Sequence, residues 1–199
     1  MMWRDHAQRL PSMPSDKPRR FTFLLLDRFT MMSFTAAIEP LRLANRAAGR
    51  ELYSWRLVGP GKDRATCSNG TKVILDAGLE DMAPERDDVI IVCGGTDIGR
   101  EATRPVLTWL RKQARSGATM GAVCTGAWIL AEAGLFDGRK ATTHWADLAA
   151  LGEYASIEVQ GDRLHTYDPT DPQASHLFSS AGVTAGIDLA LALVEADLG

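Results

Sequence analysis

Cysteine is scarce: Cys67, Cys93 and Cys124 are widely spaced and form no CxxC pair. Such an odd, scattered set excludes a disulfide framework and a zinc knuckle, and it fits a reducing cytosol. A basic excess is also missing, because 22 Lys and Arg against 25 Asp and Glu leave a formal net charge of -3. That balance lacks the footprint of a nucleic-acid-binding domain, so this stretch is not expected to bind DNA by itself. Long apolar runs are absent as well. The best of them, residues 23–26 and 89–93, are far too short to cross a bilayer and suit strands buried on both faces. Membrane association is therefore not expected. Residues 1–20 mix Arg4, Arg9, Lys17, Arg19 and Arg20 with Pro11, Pro14 and Pro18, without a signal-peptide core, and read as a disordered leader. No internal repeat or heptad seam is present. His165 and His176 have no partners at metal-ligand spacing, so neither a metal nor another cofactor is expected.

What is present is ordinary globular composition, 45% hydrophobic in 199 residues, enough for one core and one domain over residues 21–199. Residues 21–27 read as a buried strand. Residues 33–48 follow with helical spacing, Phe34, Ile38, Leu41 and Ala44 sharing a face before Gly49 stops the helix. A second strand is expected at 53–58. Segments 64–68 and 72–75 flank Asn69-Gly70, a hairpin signal. The clearest central strand, 88–93, ends in Gly94-Gly95. Residues 105–115 carry helical spacing, 118–123 a short buried strand, 125–133 a helix rich in small residues and 140–143 a further strand. Segments 156–159 and 163–165 are expected to pair across Gly161-Asp162, 176–179 to form the last strand, and 182–198 a closing apolar helix. Strands alternating with helices predict right-handed crossovers and a parallel, doubly wound sheet, with ligands at the carboxyl ends of its strands.

One turn carries chemistry. In Gly121-Ala122-Val123-Cys124-Thr125-Gly126 a cysteine stands between buried strand and helix, with small residues where a sharp turn forces backbones together. This is the packing demand of a nucleophile elbow, and the helix start directs free N–H groups toward the sulfur. The same pattern also fits a small buried thiol. Gly94-Gly95, at the end of a neighbouring strand, would let backbone N–H groups approach a ligand oxygen, or would simply make a tight turn.

The run GAVCTGAWILAEAGLFDGRKATTHW, residues 121–145, resembles the signature stretch of ThiJ/PfpI domains, the class I glutamine amidotransferase-like group. Val92-Cys93-Gly94-Gly95 and the run 180–188, SAGVTAGID, match it too, so the resemblance covers residues 21–199. It implies a flavodoxin-like, doubly wound, mostly parallel α/β sheet with helices on both faces. Relatives of this kind include isocyanide hydratases, proteases, glyoxalase-like enzymes and the N-terminal sensor domains of AraC-family transcriptional regulators. Fold alone does not choose among them.

Two departures weigh against catalysis. The resemblance places Ser33 where catalytic relatives carry an acid, and Thr125 where the protease-like members carry a histidine. A thiol that turns over substrate needs a partner for proton transfer. Glu39, further along the same helix, is expected to make structural contacts instead. The segment 34–46, with Glu51 to Trp55 and Ser68-Asn69-Gly70, resembles the regulator branch in particular. That likeness implies a cytoplasmic sensor, a homodimer, that binds DNA only through a C-terminal helix-turn-helix part outside this chain. It further implies a small-molecule effector that is betaine-, carnitine- or amino-acid-like. Its site is expected to comprise Ser33, Phe34, Gly94, Gly95, Cys124, Thr125, Trp128, His144 and Trp145, with Phe34, Trp128 and Trp145 as an aromatic cage for a quaternary ammonium. The alternative is a stand-alone cysteine-dependent hydrolase or hydratase with Cys124 as nucleophile.

Overall fold

Alternating side chains decide how the first strand is used. Phe21, Phe23 and Leu25 enter one hydrophobic cluster while Leu24 and Leu26 enter another, so β1 (Arg19–Leu25) is buried on both faces. The computed structural model describes residues 17–61, 63–82 and 84–199. Residues 1–16 of the expected leader lie outside these. Arg19 and Arg20, counted with the leader, already belong to β1 and pair with Tyr53 and Ser54.

After β1 come α1 (Met31–Ala48), β2 (Tyr53–Gly59), β3 (Arg64–Thr66), β4 (Lys72–Ile74), β5 (Ala77–Gly78) and β6 (Val89–Cys93). A 3-10 turn at Ile98–Glu101 leads to α2 (Arg104–Ser116), β7 (Thr119–Val123) and α3 (Gly126–Glu132). The chain continues through β8 (Lys140–Ala141), α4 (Leu148–Leu151), β9 (Glu158–Val159), β10 (Leu177–Ser180) and α5 (Ala185–Leu198). The main sheet is parallel throughout, in the order β10-β7-β6-β1-β2-β5. Five of its strands thus follow the flavodoxin-like order, and β5 extends one edge. Helices α1 and α5 cover one face, with Leu41, Leu189 and Leu193 in its core. Helices α2 and α3 cover the other, with Val106, Leu110, Ile129 and Leu130. The expected doubly wound fold is therefore the observed one.

Three local expectations change. The hairpin proposed for 156–159 and 163–165 does not form: β9 pairs in parallel with β8, Lys140 opposite Glu158. The 163–165 segment is drawn instead to the open edge of β10, where His165 bridges Ser180 and the Ala181 amide donates to Leu164 O at 2.9 Å. An edge strand presents unpaired backbone groups, and this segment satisfies them. The expected strand 140–143 ends at Ala141, off the main sheet. The closing helix begins at Ala185 rather than Gly182, since Gly182 (φ 79) and Val183 (φ 52) hold left-handed conformations that no right-handed helix continues. The hairpin at Asn69-Gly70 does form, β3 antiparallel to β4 with Gly70 at φ 85.

Candidate functional site

The order in which strands are added to the main sheet reverses between β1 and β6, and the loops leaving these two strands lie side by side. Thr30 N donates to Gly94 O at 3.0 Å and Thr96 N to Arg28 O at 3.1 Å, an antiparallel bridge centred on Phe29 and Gly95. The turn of the β3–β4 hairpin closes on them from outside, Ser68 N donating to Phe29 O at 2.9 Å. Arg28 and Asp97, both at positive φ, form an ion pair across the rim.

Cys124 stands one strand away, at the end of β7, with φ 57. A non-glycine residue in the left-handed region is strained, and here close packing holds it. A Cβ on Gly94 would lie 2.2 Å from Gly126 N, one on Gly126 2.2 Å from Val92 O, and one on Gly182 2.5 Å from Cys124 Cα. The three chain segments touch backbone to backbone, which only glycine permits. The elbow read from the sequence is thus present as a strained turn.

A collar of hydroxyl groups fixes it. Thr143 Oγ1 donates to Cys124 O at 3.0 Å, Cys124 N to Ser180 O at 3.2 Å and Thr125 Oγ1 to Gly95 O at 2.7 Å. Ser33, wholly buried, accepts the Val183 amide hydrogen at 2.8 Å. The sulfur itself meets Thr30 Oγ1 at 3.9 Å, and among the described residues no carboxylate hydrogen-bonds to it. Ser33 therefore binds a neighbouring loop at the place where catalytic relatives carry an acid. Glu39 is exposed and held by Arg42 at 2.6 and 2.8 Å, and that bond keeps its carboxyl below the usual range. Burial, with a smaller contribution from Cys124, raises the adjacent Cys93 thiol, which stays protonated.

The expected site residues divide into groups. Ser33, Gly94, Gly95, Cys124 and Thr125 come together in this knot of loops. The N–H groups of Gly95 and Thr125 donate to no acceptor among the described residues. His144 follows Thr143 at the edge of the collar; its Nδ1 accepts from Ala146 N at 3.4 Å and lies 3.6 Å from Asp147. Trp145 is 78% exposed and packs against His144, ring centroids 5.4 Å apart. The aromatic cage is not assembled. Phe34 is buried edge-on against Phe23 and Phe29 beneath α1, Trp128 packs into the core on the opposite face, and Trp145 stands in solvent. Helical spacing marked Phe34 and Trp128 as buried-face residues but not which side of the sheet each would reach.

The sulfur is covered, with Cys124 only 3% exposed. The two surface clefts, about 310 and 220 Å³, are lined by residues around the amino ends of β7 and β10, away from it. Reasoning from sequence missed Thr30 and Val183, the groups in contact with Cys124 and Ser33. Thr30 belongs to no motif and the run 180–188 does not mark Val183 for this contact; only the tertiary approach of α1 to the loop after β10 reveals them.

A parallel sheet in this strand order, with a strained cysteine turn beside its reversal point, defines a class of domain. The chain belongs to the DJ-1/PfpI family, whose model matches residues 19–196. Within that class it is 43% identical over 182 residues to the HTH-type transcriptional regulator GbdR of Pseudomonas aeruginosa, covering 92% of this chain and 47% of the regulator. It is 39% identical over 175 residues to CdhR, another HTH-type transcriptional regulator of Pseudomonas aeruginosa, covering 87% of this chain and 49% of that one. Among solved structures it resembles an AraC family transcriptional regulator from Pseudomonas putida, with a TM-score of 0.78 at 26% identity, covering 92% of this chain and 94% of the other. The chain spans about half the length of the curated regulators it matches.

Proposed function

We propose that this domain is the effector-sensing part of an AraC-type transcription regulator and binds a small metabolite at the Cys124 end of the sheet without transforming it. One observation carries the reading: the cysteine turn is strained, while the sulfur meets a threonine hydroxyl and, among the described residues, no carboxylate. Without a proton-transfer partner, the turn serves as a rigid anchor rather than a nucleophile. The free amides of Gly95 and Thr125 suit the carboxylate of a betaine-, carnitine- or amino-acid-like effector. DNA contact belongs to a helix-turn-helix part beyond these residues, and the domain acts as a cytoplasmic homodimer. Among the described residues no helix is long and apolar enough to cross a membrane.

Calorimetric titration with glycine betaine, carnitine and a panel of amino acids tests the reading. Saturable binding by one of them is expected; silence from the whole panel removes the effector assignment. The free Gly95 and Thr125 amides also favour a second reading, a cysteine hydrolase or hydratase with these groups as oxyanion donors. Turnover of an isonitrile or a 4-nitrophenyl ester that Cys124→Ala abolishes would put that reading in place of the first.

A further inference from the structure

Of the described Lys and Arg residues, only Arg19 and Arg139 are partly buried; the others are exposed. Arg19 is held by Asp197 at 2.7 Å. The Arg139 guanidinium has no carboxylate or carbonyl partner among the described residues. A guanidinium bordering a cleft without a bonded partner is available to an anion that enters it. Its backbone is nevertheless fixed, Arg139 N donating to Phe136 O at 3.0 Å and Arg139 O accepting from Glu158 N at 2.9 Å.

Arg139 borders the cleft of about 310 Å³, and Ala114, Ala118, Met120, Leu135 and Leu177 supply its apolar lining. The smaller cleft of about 220 Å³ shares Arg139, Gln173 and Leu177 with it, and there Lys140 stands against Glu158 and Asp171, so its charges offset. The larger cleft carries no carboxylate; an anionic group there would meet Arg139, the Gln173 amide and His176, with its apolar body over Met120 and Leu135. Met120 is the second residue of β7, the strand that ends before Cys124, so the cleft lies ~13 Å from that residue along the strand.

We propose that this cleft is a second ligand site, separate from the Cys124 turn, for a small monocarboxylate with an aliphatic or aromatic body. The carboxylate pairs with Arg139 through charge-assisted hydrogen bonds, and the body removes apolar surface from water.

The test titrates the protein with 3-phenylpropionate, using phenethylamine as a control of similar body and opposite charge. Saturable binding of the acid alone is expected, weakened about tenfold or more by Arg139→Met, as loss of a charge-assisted pair implies. Cys124→Ala should leave it unchanged, which keeps the result distinct from the site proposed at the elbow. In methyl-labelled wild-type protein the Met120 resonance should shift over the same concentration range, a readout that stands if the Arg139 variant does not fold. Absence of saturable binding, equal binding of the amine, no effect of Arg139→Met, or an unmoved Met120 methyl overturns the proposal.

Discussion

Ser33 is a buried tie between two loops of the cysteine turn. Its hydroxyl accepts the amide hydrogen of Val183, a β-branched residue held at φ 52, and so ties the start of α1 to the loop that crosses behind Cys124. Ser33→Ala leaves that N–H without an acceptor, and urea denaturation should record a loss of ~1–3 kcal/mol. An unchanged midpoint would mean that the bond contributes nothing net. Gly94→Ala tests the packing of the turn directly. Its Cβ would stand 2.2 Å from a backbone nitrogen, which cannot swing away as a side chain can, so a loss of about 3 kcal/mol or more is expected. A stable Gly94→Ala protein would show that the loops are looser than their contacts imply.

Elements differ in how much of themselves they announce. The strands β1, β6 and β7 were legible because four or more consecutive buried positions leave few alternatives, and the Asn69-Gly70 hairpin because positive φ has a strong residue preference. Gly70→Ala should cost about 1 kcal/mol in thermal or chemical unfolding although nothing lies within 4 Å of the added methyl, since the penalty comes from φ alone. By contrast, β8 and β9 are two residues each, too short for any period, and they pair with each other in a small sheet apart from the main one. The cysteine turn was visible in its small residues. The bonds that hold it were not, because Thr30, Thr143 and the stretch from Ser180 to Val183 come from three separate segments.

At the scale of the whole molecule, His165 links stability to pH. Burial lowers its pKa below the ordinary 6.5, against the pull of Asp188 and with help from Arg163, and its Nδ1 has no hydrogen-bond partner. Below 6.5 the unfolded chain therefore binds more protons than the folded one, so stability should fall as pH drops from that value toward the lowered one and be level above it. His165→Phe should flatten the slope over that window in pH-dependent denaturation curves; an unchanged slope would assign it to other groups. The lid of loops over Cys124 has a kinetic consequence as well. A thiol 3% exposed reacts with iodoacetamide only when its cover parts, so under fast-closing conditions the alkylation rate measures the fraction of time the cover is open. An effector that stabilises the closed form would protect the thiol from alkylation, turning an inert cysteine into a built-in reporter of occupancy.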